Sequence, residues 1–419
     1  MDRRRENEIV VYVGTRKLVA LAGVVAAGEP RITGYAVRLN PEGFKNGLVT
    51  NLEQASSTLE ALVGSLFPSL SSDPPSSNSD TAVYVVLGNP KLKTYTFASA
   101  QYFQGFQRIL SPHDVCSVVD QTRSVAPLPL SEFILQAIPA SFLVNDLEDV
   151  SNPLGLEAQR LGVRLKIFTI DFQDFKNLSK AFETAELEVK GYFPKTLTAS
   201  EAVLHESEKS EGALLIDIAS EVSFLTLWKK GELINSQVFP VGGRHLSSQL
   251  ANLWEIDLQD GEKAKEQYGS LEKSPPFGEE LIPMVERNGK KSQPVNRQDF
   301  QEKFLSLAKE WMRQILSAAE AFSREEKIFH PHYVFTGGGT CLDGFLEFLQ
   351  QEFKWEGRIG HTRRVDAPNE LLVNPSLTSA LGIYSWLAYG EGEKSRLLEP
   401  KGIFQKTFSV ARGWLSNYF

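Results

Sequence analysis

Cysteine is nearly absent from this chain of 419 residues: Cys116 and Cys341 stand far apart, and neither belongs to a CxxC or Cys/His cluster. That argues against a disulfide framework or a structural zinc site, and it fits a reducing, cytoplasmic setting. An excess of positive charge is also lacking. With 44 basic against 52 acidic side chains the formal charge is −8, the wrong sign for a protein that grips a nucleic-acid backbone, so no nucleic-acid partner is expected. No apolar run reaches the roughly 18 residues that a membrane-spanning helix requires. The apolar stretch 9–13 after the basic start is cut by Thr15, Arg16 and Lys17, too short for a signal-peptide core. Any membrane contact is therefore expected to be peripheral. GxSxG, HExxH and Cys/His nucleophile patterns are missing, and His330 and His332, without a cysteine or acid at ligand spacing, read as ordinary loop residues. No catalytic residue is expected.

What is present is the composition of a globular protein, 42% hydrophobic, long enough for roughly two to four subdomains with their own cores. A β-branched run at 9–13, the turn Gly14-Thr15 and a second run at 18–26 read as strand, tight turn, strand. Apolar residues at helical spacing (Leu52, Ala55, Leu59, Leu62, Val63, Leu66) predict an amphipathic helix within 47–67, followed by a serine- and proline-rich loop at 69–80 and a strand at 81–87. The stretch 91–166 reads as an inserted α/β unit: strands around Tyr95 and at 133–138 and 164–170, and a helix at 113–125 opened by Ser111-Pro112. A helix at 172–185 follows. Then 213–219, 222–228 and a strand running to Pro240 repeat the strand-turn-strand opening, with Asp217 near the end of its first strand, so the chain reads as two related halves. Short helices are predicted at 246–253 and 260–268, a long one at 297–322, then a strand at 332–335, the turn Gly337-Gly338-Gly339 and a helix at 344–353. Strand, glycine-rich turn, helix is a phosphate-cradling order, though three glycines alone describe a tight turn equally well.

The last 18 residues, GIFQKTFSVARGWLSNYF at 402–419, segregate on a helical wheel. Ile403, Phe404, Phe408, Val410, Ala411, Trp414, Leu415, Tyr418 and Phe419 fall on one side; Gln405, Lys406, Ser409, Arg412, Ser416 and Asn417 fall on the other. Aromatic and aliphatic residues with Lys406 and Arg412, behind a polar tether at 391–401, describe a helix lying in an anionic membrane surface. The alternative is a terminal helix docked on its own domain.

Seven segments, in order, resemble the FtsA family of bacterial cell-division proteins within the actin-like ATPases: GFKNGLVTNLEQA (43–55), NPLGLEAQRLGVRL (152–165), GYFPKTLTASEAVL (191–204), FPVGGRHLSSQLA (239–251), GEKAKEQYG (261–269), FTGGGTCLDGF (335–345) and NPSLTSALG (374–382). The resemblance covers nearly the whole chain. It implies an α/β, actin-like (ribonuclease-H-like/ASKHA) two-lobed fold with an inserted subdomain 1C and a C-terminal amphipathic helix. Its parts would be 8–87 with 168–205 and 370–390 (1A), 88–167 (1C), 206–244 with 301–369 (2A), 245–300 (2B), a linker at 391–401 and the membrane helix at 402–419. It further implies a structural adaptor that polymerises and tethers FtsZ to the cytoplasmic face of the membrane at the division site. The FtsZ C-terminal peptide would bind 2B, with Lys290, Asn296 and Arg297 as exposed candidates, and later division proteins would bind 1C.

By the same resemblance ATP with Mg²⁺ would lie between the lobes. Gly14, Thr15, Arg16 and Lys17 would grip phosphates from one hairpin and Asp217 from the other, with Asp217 orienting Mg²⁺ through water or, as is common for a buried or strand-end aspartate, simply hydrogen-bonded. Gly242, Gly243, Glu262, Lys265, Gly337, Gly338 and Gly339 would hold the rest. Glu262 and Lys265, three apart on a helix, can face one ligand, or can be a solvated pair. Tyr12 stands where the family usually has Asp. Ala219-Ser220-Glu221 replaces a glycine run, and Glu221 is expected to bring negative charge towards a polyanion. Weak binding and, at most, a degenerate ATPase follow. The alternatives are a PilM-like pilus-assembly protein, which normally lacks the terminal helix, and an active ATPase or sugar kinase.

Overall fold

The computed structural model describes residues 8–26, 28–66, 83–105, 107–272, 280–283 and 294–388. The membrane helix expected at 402–419, its tether at 391–401, the loop at 69–80 and Lys290 lie outside the described residues. Among the described residues no helix is long and apolar enough to cross a membrane.

Apolar runs that meet tight turns build two five-stranded sheets. In the first, Glu8–Val13 pairs antiparallel with Lys17–Ala26, which pairs with Glu29–Leu39; on its other side it runs parallel to Val83–Leu87, and that strand runs parallel to Val189–Pro194. In the second, Ala213–Ile218 holds the same place. It pairs antiparallel with Ser223–Lys229, which continues into Glu232–Phe239, and runs parallel to His332–Thr336, beside Arg358–Ile359. The strand order is thus identical, and the repeat read from two hairpins is a repeat of the whole sheet. Glu29–Leu39 and Val189–Pro194 escape a periodicity reading. The first is an edge strand whose Tyr35, Val37 and Leu39 are exposed, and the second ends in proline, a poor strand former.

Between the two parallel strands of the first lobe the chain leaves to form a separate layer. Strands Lys93–Tyr102, Glu132–Val144, Leu147–Val150 and Arg160–Asp171 make an antiparallel sheet. Helix Pro112–Val125 packs Val115 and Val118 against Leu161 and Leu165. Asp114 accepts from the Ser111 backbone at 3.0 Å, which fixes the helix start read from Ser-Pro. The layer reaches the second lobe through Thr94 and Ser236, 2.6 Å apart, and through Lys166, which donates to Thr96 at 2.7 Å and to the carbonyl of Ile234.

Helix Lys195–Val203 joins the lobes. All but one of its residues are buried; Leu197 and Ala199 pack with Leu215, Trp228 and Val334 of the second sheet. It crosses helix Thr378–Ser385 so closely that a Cβ on Gly382 would stand 1.9 Å from the Thr198 carbonyl. The long helix Arg297–Glu325 lies on the second sheet and buries Phe304, Trp311 and Ile315. Its start corrects one expectation: Arg297 is 7% exposed, stacked near Tyr268 and Phe300, and Asn296 caps the helix by accepting from the Gln298 backbone at 2.8 Å. Arg297 is therefore not the exposed contact expected, whereas Asn296 is exposed as expected, with its side-chain oxygen engaged in the cap.

Candidate nucleotide cleft

A cleft of about 450 Å³ opens between the lobes, within the usual size of a small-ligand site. Gly14, Thr15, Arg16 and Lys17 line it from the first hairpin, Asp217, Ala219 and Ser220 from the second, and Gly243, Glu262, Lys265 and Gly337–Gly339 from the second lobe. The residues expected to meet therefore do meet, with one exception. Gly242 stands behind the wall: a Cβ there would fall 2.4 Å from the Ser220 carbonyl, and its own carbonyl accepts from Trp311 Nε1 at 2.9 Å. Its glycine serves packing against the second hairpin. The neighbouring Gly243 and Arg244 backbones likewise donate to the Ala219 and Ser220 carbonyls at 2.9 and 2.8 Å.

The glycine turn is followed by the expected helix, with one short turn between them. Gly337, at φ +89°, sits against Asp217, where a Cβ would meet Oδ1 at 2.5 Å. A single 3-10 turn, Gly338–Cys341, follows, and the helix proper starts only at Phe345. Gly339 is packed tightly on Ile218, whereas Gly338 has only Ser376 Cβ, at 3.8 Å, near its face. Gly338 is the glycine that leaves room for a ligand.

One end of the cleft is held by Glu262 and Lys265 on helix Leu258–Tyr268. Lys265 Nζ reaches both Glu262 carboxylate oxygens at 2.9 Å and donates to the Gly243 carbonyl at 3.2 Å. Arg16 crosses from the first lobe to Glu262 and, at 2.7 Å, to Glu266; Ser247 also donates to Glu262. Burial pushes the Glu262 carboxyl up, but Lys265, Ser247 and Arg16 together bring it below its ordinary range. The pair is thus partly buried and cross-linked, not a solvated i, i+3 pair.

The other end holds a group that the sequence reading passes over. Lys195, 3% exposed, places Nζ 2.9 Å from each carboxylate oxygen of Asp217, itself 2% exposed. Ser379 donates to Asp217 at 3.3 Å. The Lys195 ammonium also lies 4.7 Å from the centre of the Phe224 ring and 5.8 Å from that of Tyr12. Burial opposes its charge, yet Asp217 and Tyr12 overcome that and raise its pKa. Burial raises the Tyr12 phenol in turn. The one signal available was a lysine inside a small and apolar segment, GYFPKTLTASEAVL, where a charge needs a buried partner.

Of the two readings of Asp217, the structure has the hydrogen-bonded buried carboxylate and not one left free to orient Mg²⁺ through water. An ammonium already occupies the position between its two oxygens, and this donor set does not fit a divalent cation. Among the described residues no three His, Cys, Asp or Glu side chains gather as a metal site. Glu221 departs from expectation too: it pairs with Arg244 at 2.9 Å, so its charge is answered on the second lobe. The Lys17 ammonium, by contrast, donates among the described residues to a neutral hydroxyl alone, Ser376 Oγ at 2.7 Å, which in turn donates to Asn374 Oδ1 at 2.7 Å. Burial, then the nearby Lys195 charge, lower the Lys17 pKa to about 8. Of the two cysteines, Cys341 lines the cleft and Cys116 is half-buried in the inserted layer.

Comparison with known proteins follows the same outline. Residues 214–382 match the family described as Cell division protein FtsA, and residues 103–169 match the SHS2 domain inserted in FtsA. Cell division protein FtsA of Pseudomonas aeruginosa is 24% identical over 388 residues, 91% of this chain and 89% of that protein. Among solved structures, the PilM-PilN type IV pilus biogenesis complex superposes with a TM-score of 0.61 at 16% identity, covering 94% of this chain and all of the other. MreB5 of Spiroplasma citri bound to ADP gives 0.51 at 11% identity, over 93% and 98%. The fold is therefore actin-like, with the SHS2 insertion that the antiparallel layer forms.

Proposed function

The chain belongs to the FtsA family of cell-division proteins, and from that premise we propose that it is a polymerising, membrane-associated adaptor that tethers FtsZ at the division site. The Z ring would be held to the cytoplasmic face of the plasma membrane, and later division proteins would be recruited through the inserted layer. The observation that carries this reading is one chain joining that separately cored insertion to a basic, aromatic segment at 402–419 whose apolar residues share one side of a helical wheel. A single such helix binds lipid reversibly. Copies aligned in a filament raise one another's effective concentration, so assembly and attachment reinforce each other.

The cleft serves this role as a nucleotide pocket without rapid turnover. Glu262 and Lys265 suit a ribose, Gly338 leaves room beside it, and Lys17 supplies charge for phosphate. The ADP named for the structurally similar MreB5 supports a nucleotide at this place. A second reading, a PilM-like pilus protein, is favoured by the TM-score of 0.61; the segment at 402–419 speaks for FtsA.

The test is pelleting with anionic phospholipid vesicles, with and without the FtsZ C-terminal peptide, for the full chain and for one ending at Lys401. The full chain should sediment with vesicles and bring the peptide down. The shortened chain should stay in solution; equal sedimentation of both would remove the tail as the anchor.

A further inference from the structure

The geometry points to Lys195 as a built-in cation that takes the place of a divalent metal beside Asp217, so that a nucleoside di- or triphosphate binds in this cleft without Mg²⁺. This rests on the nucleotide reading of the cleft and names its counter-ion.

Position comes first. Lys195 opens the buried helix that joins the lobes, and its ammonium lies 2.9 Å from both oxygens of one carboxylate. Hard cations seek that same point. For a metal to enter, the ammonium must leave, and its surroundings are the Phe224 and Tyr12 rings at 4.7 and 5.8 Å. Beside Asp217 it shares a hydrogen bond with the neutral Tyr12 hydroxyl, which gives a displaced ammonium no counter-charge.

Charge comes second. Glu262 and Glu266 are engaged by Arg16, and Glu262 by Lys265 as well. Lys17 and Lys195 are in contact with one carboxylate, Asp217, because the hydrogen-bond partner of Lys17 is the neutral Ser376 hydroxyl; Asp343 lines the same cleft. Lys17 is thus a buried ammonium with no carboxylate at contact distance among the described residues. A polyphosphate supplies the missing anion, and no metal is needed to make its approach favourable.

The experiment is calorimetric titration of the full chain with ATP and with ADP, in EDTA and in excess Mg²⁺. The two buffers should give affinities within about threefold of each other. Lys195→Gln should lose at least about tenfold in EDTA and regain it with Mg²⁺, because Asp217 is then free to take the metal. Lys195→Gln with Asp217→Asn should bind weakly in both buffers. Binding by the unaltered chain only when Mg²⁺ is present overturns the inference and leaves the nucleotide reading intact. No binding in either buffer overturns both. Undiminished affinity of Lys195→Gln in EDTA also overturns it. The two-buffer comparison of the unaltered chain decides the matter even if a variant does not fold.

Discussion

The two ends of the cleft are built on opposite principles. At the Glu262 end, three partners from three elements converge on one partly buried carboxylate, and one of them, Arg16, comes from the opposite lobe. The parts are polar, partly exposed and replaceable by a ligand's hydroxyls. At the Asp217 end a single ion pair is sealed below 5% exposure between aromatic rings. In such a place a charge is tolerated only with its partner. The difference teaches that one end can exchange its contacts for those of a ligand, while the other carries a permanent charge arrangement that a ligand must accept.

The largest expected effect breaks the sealed end. Lys195→Met leaves the Asp217 carboxylate buried without its counter-charge and should cost on the order of 3–5 kcal/mol in urea unfolding. Adding Asp217→Leu should recover most of that, since replacing a buried pair with apolar side chains is often neutral. A single variant that unfolds at the same urea concentration as the unaltered chain would show that the pair is not sealed.

Both ends were unequally legible in the sequence. The sheets announce themselves through apolar runs such as Ile9–Val13 and, interrupted by Asp217, Leu214–Ile218, because burial on both faces demands mostly apolar residues. Glu262 and Lys265 are readable because i, i+3 spacing on a helix is a local fact. Lys195 and Asp217 are 22 residues apart on different elements, and a lysine opening a helix looks like a surface residue until the fold brings the acid to it. Glu221 fails for a similar reason: its charge is visible in the sequence, but Arg244, which absorbs it, belongs to the following helix. The glycines divide likewise. Gly242 and Gly338 look alike in one dimension, yet the first packs on backbone and the second faces open space.

A smaller effect comes from the ammonium beside the sealed pair. Lys17 in the folded chain has its pKa lowered to about 8 from 10.5, so between those values the unfolded chain binds more protons. Stability should therefore rise as the pH increases from about 8 towards 10.5, and the cost of the buried charge is carried in full below that window. A bound phosphate favours charged Lys17, so nucleotide affinity should fall as the pH passes upward through about 8, by no more than about tenfold per pH unit. Lys17→Met should flatten both profiles, read by urea titrations and calorimetry across the window. Affinity that climbs with pH would show that Lys17 does not face the anion.

The smallest effect belongs to the exchangeable end. The Arg16 side chain is 25% exposed while it spans the lobes to Glu262 and Glu266, and water screens it enough that Arg16→Ala should cost less than about 1 kcal/mol of stability. Its kinetic consequence should be clearer. Without the arginine, Glu262 keeps Lys265 and Ser247, so the ribose-binding pair stays in place while the strut between the lobes is gone. Nucleotide association, followed by stopped-flow fluorescence of a labelled ADP, should quicken a few-fold, with dissociation changing in the same direction and affinity nearly constant. Slower association with weaker binding would instead make Arg16 a ligand contact, and both ends of the cleft would then work by fixed charge.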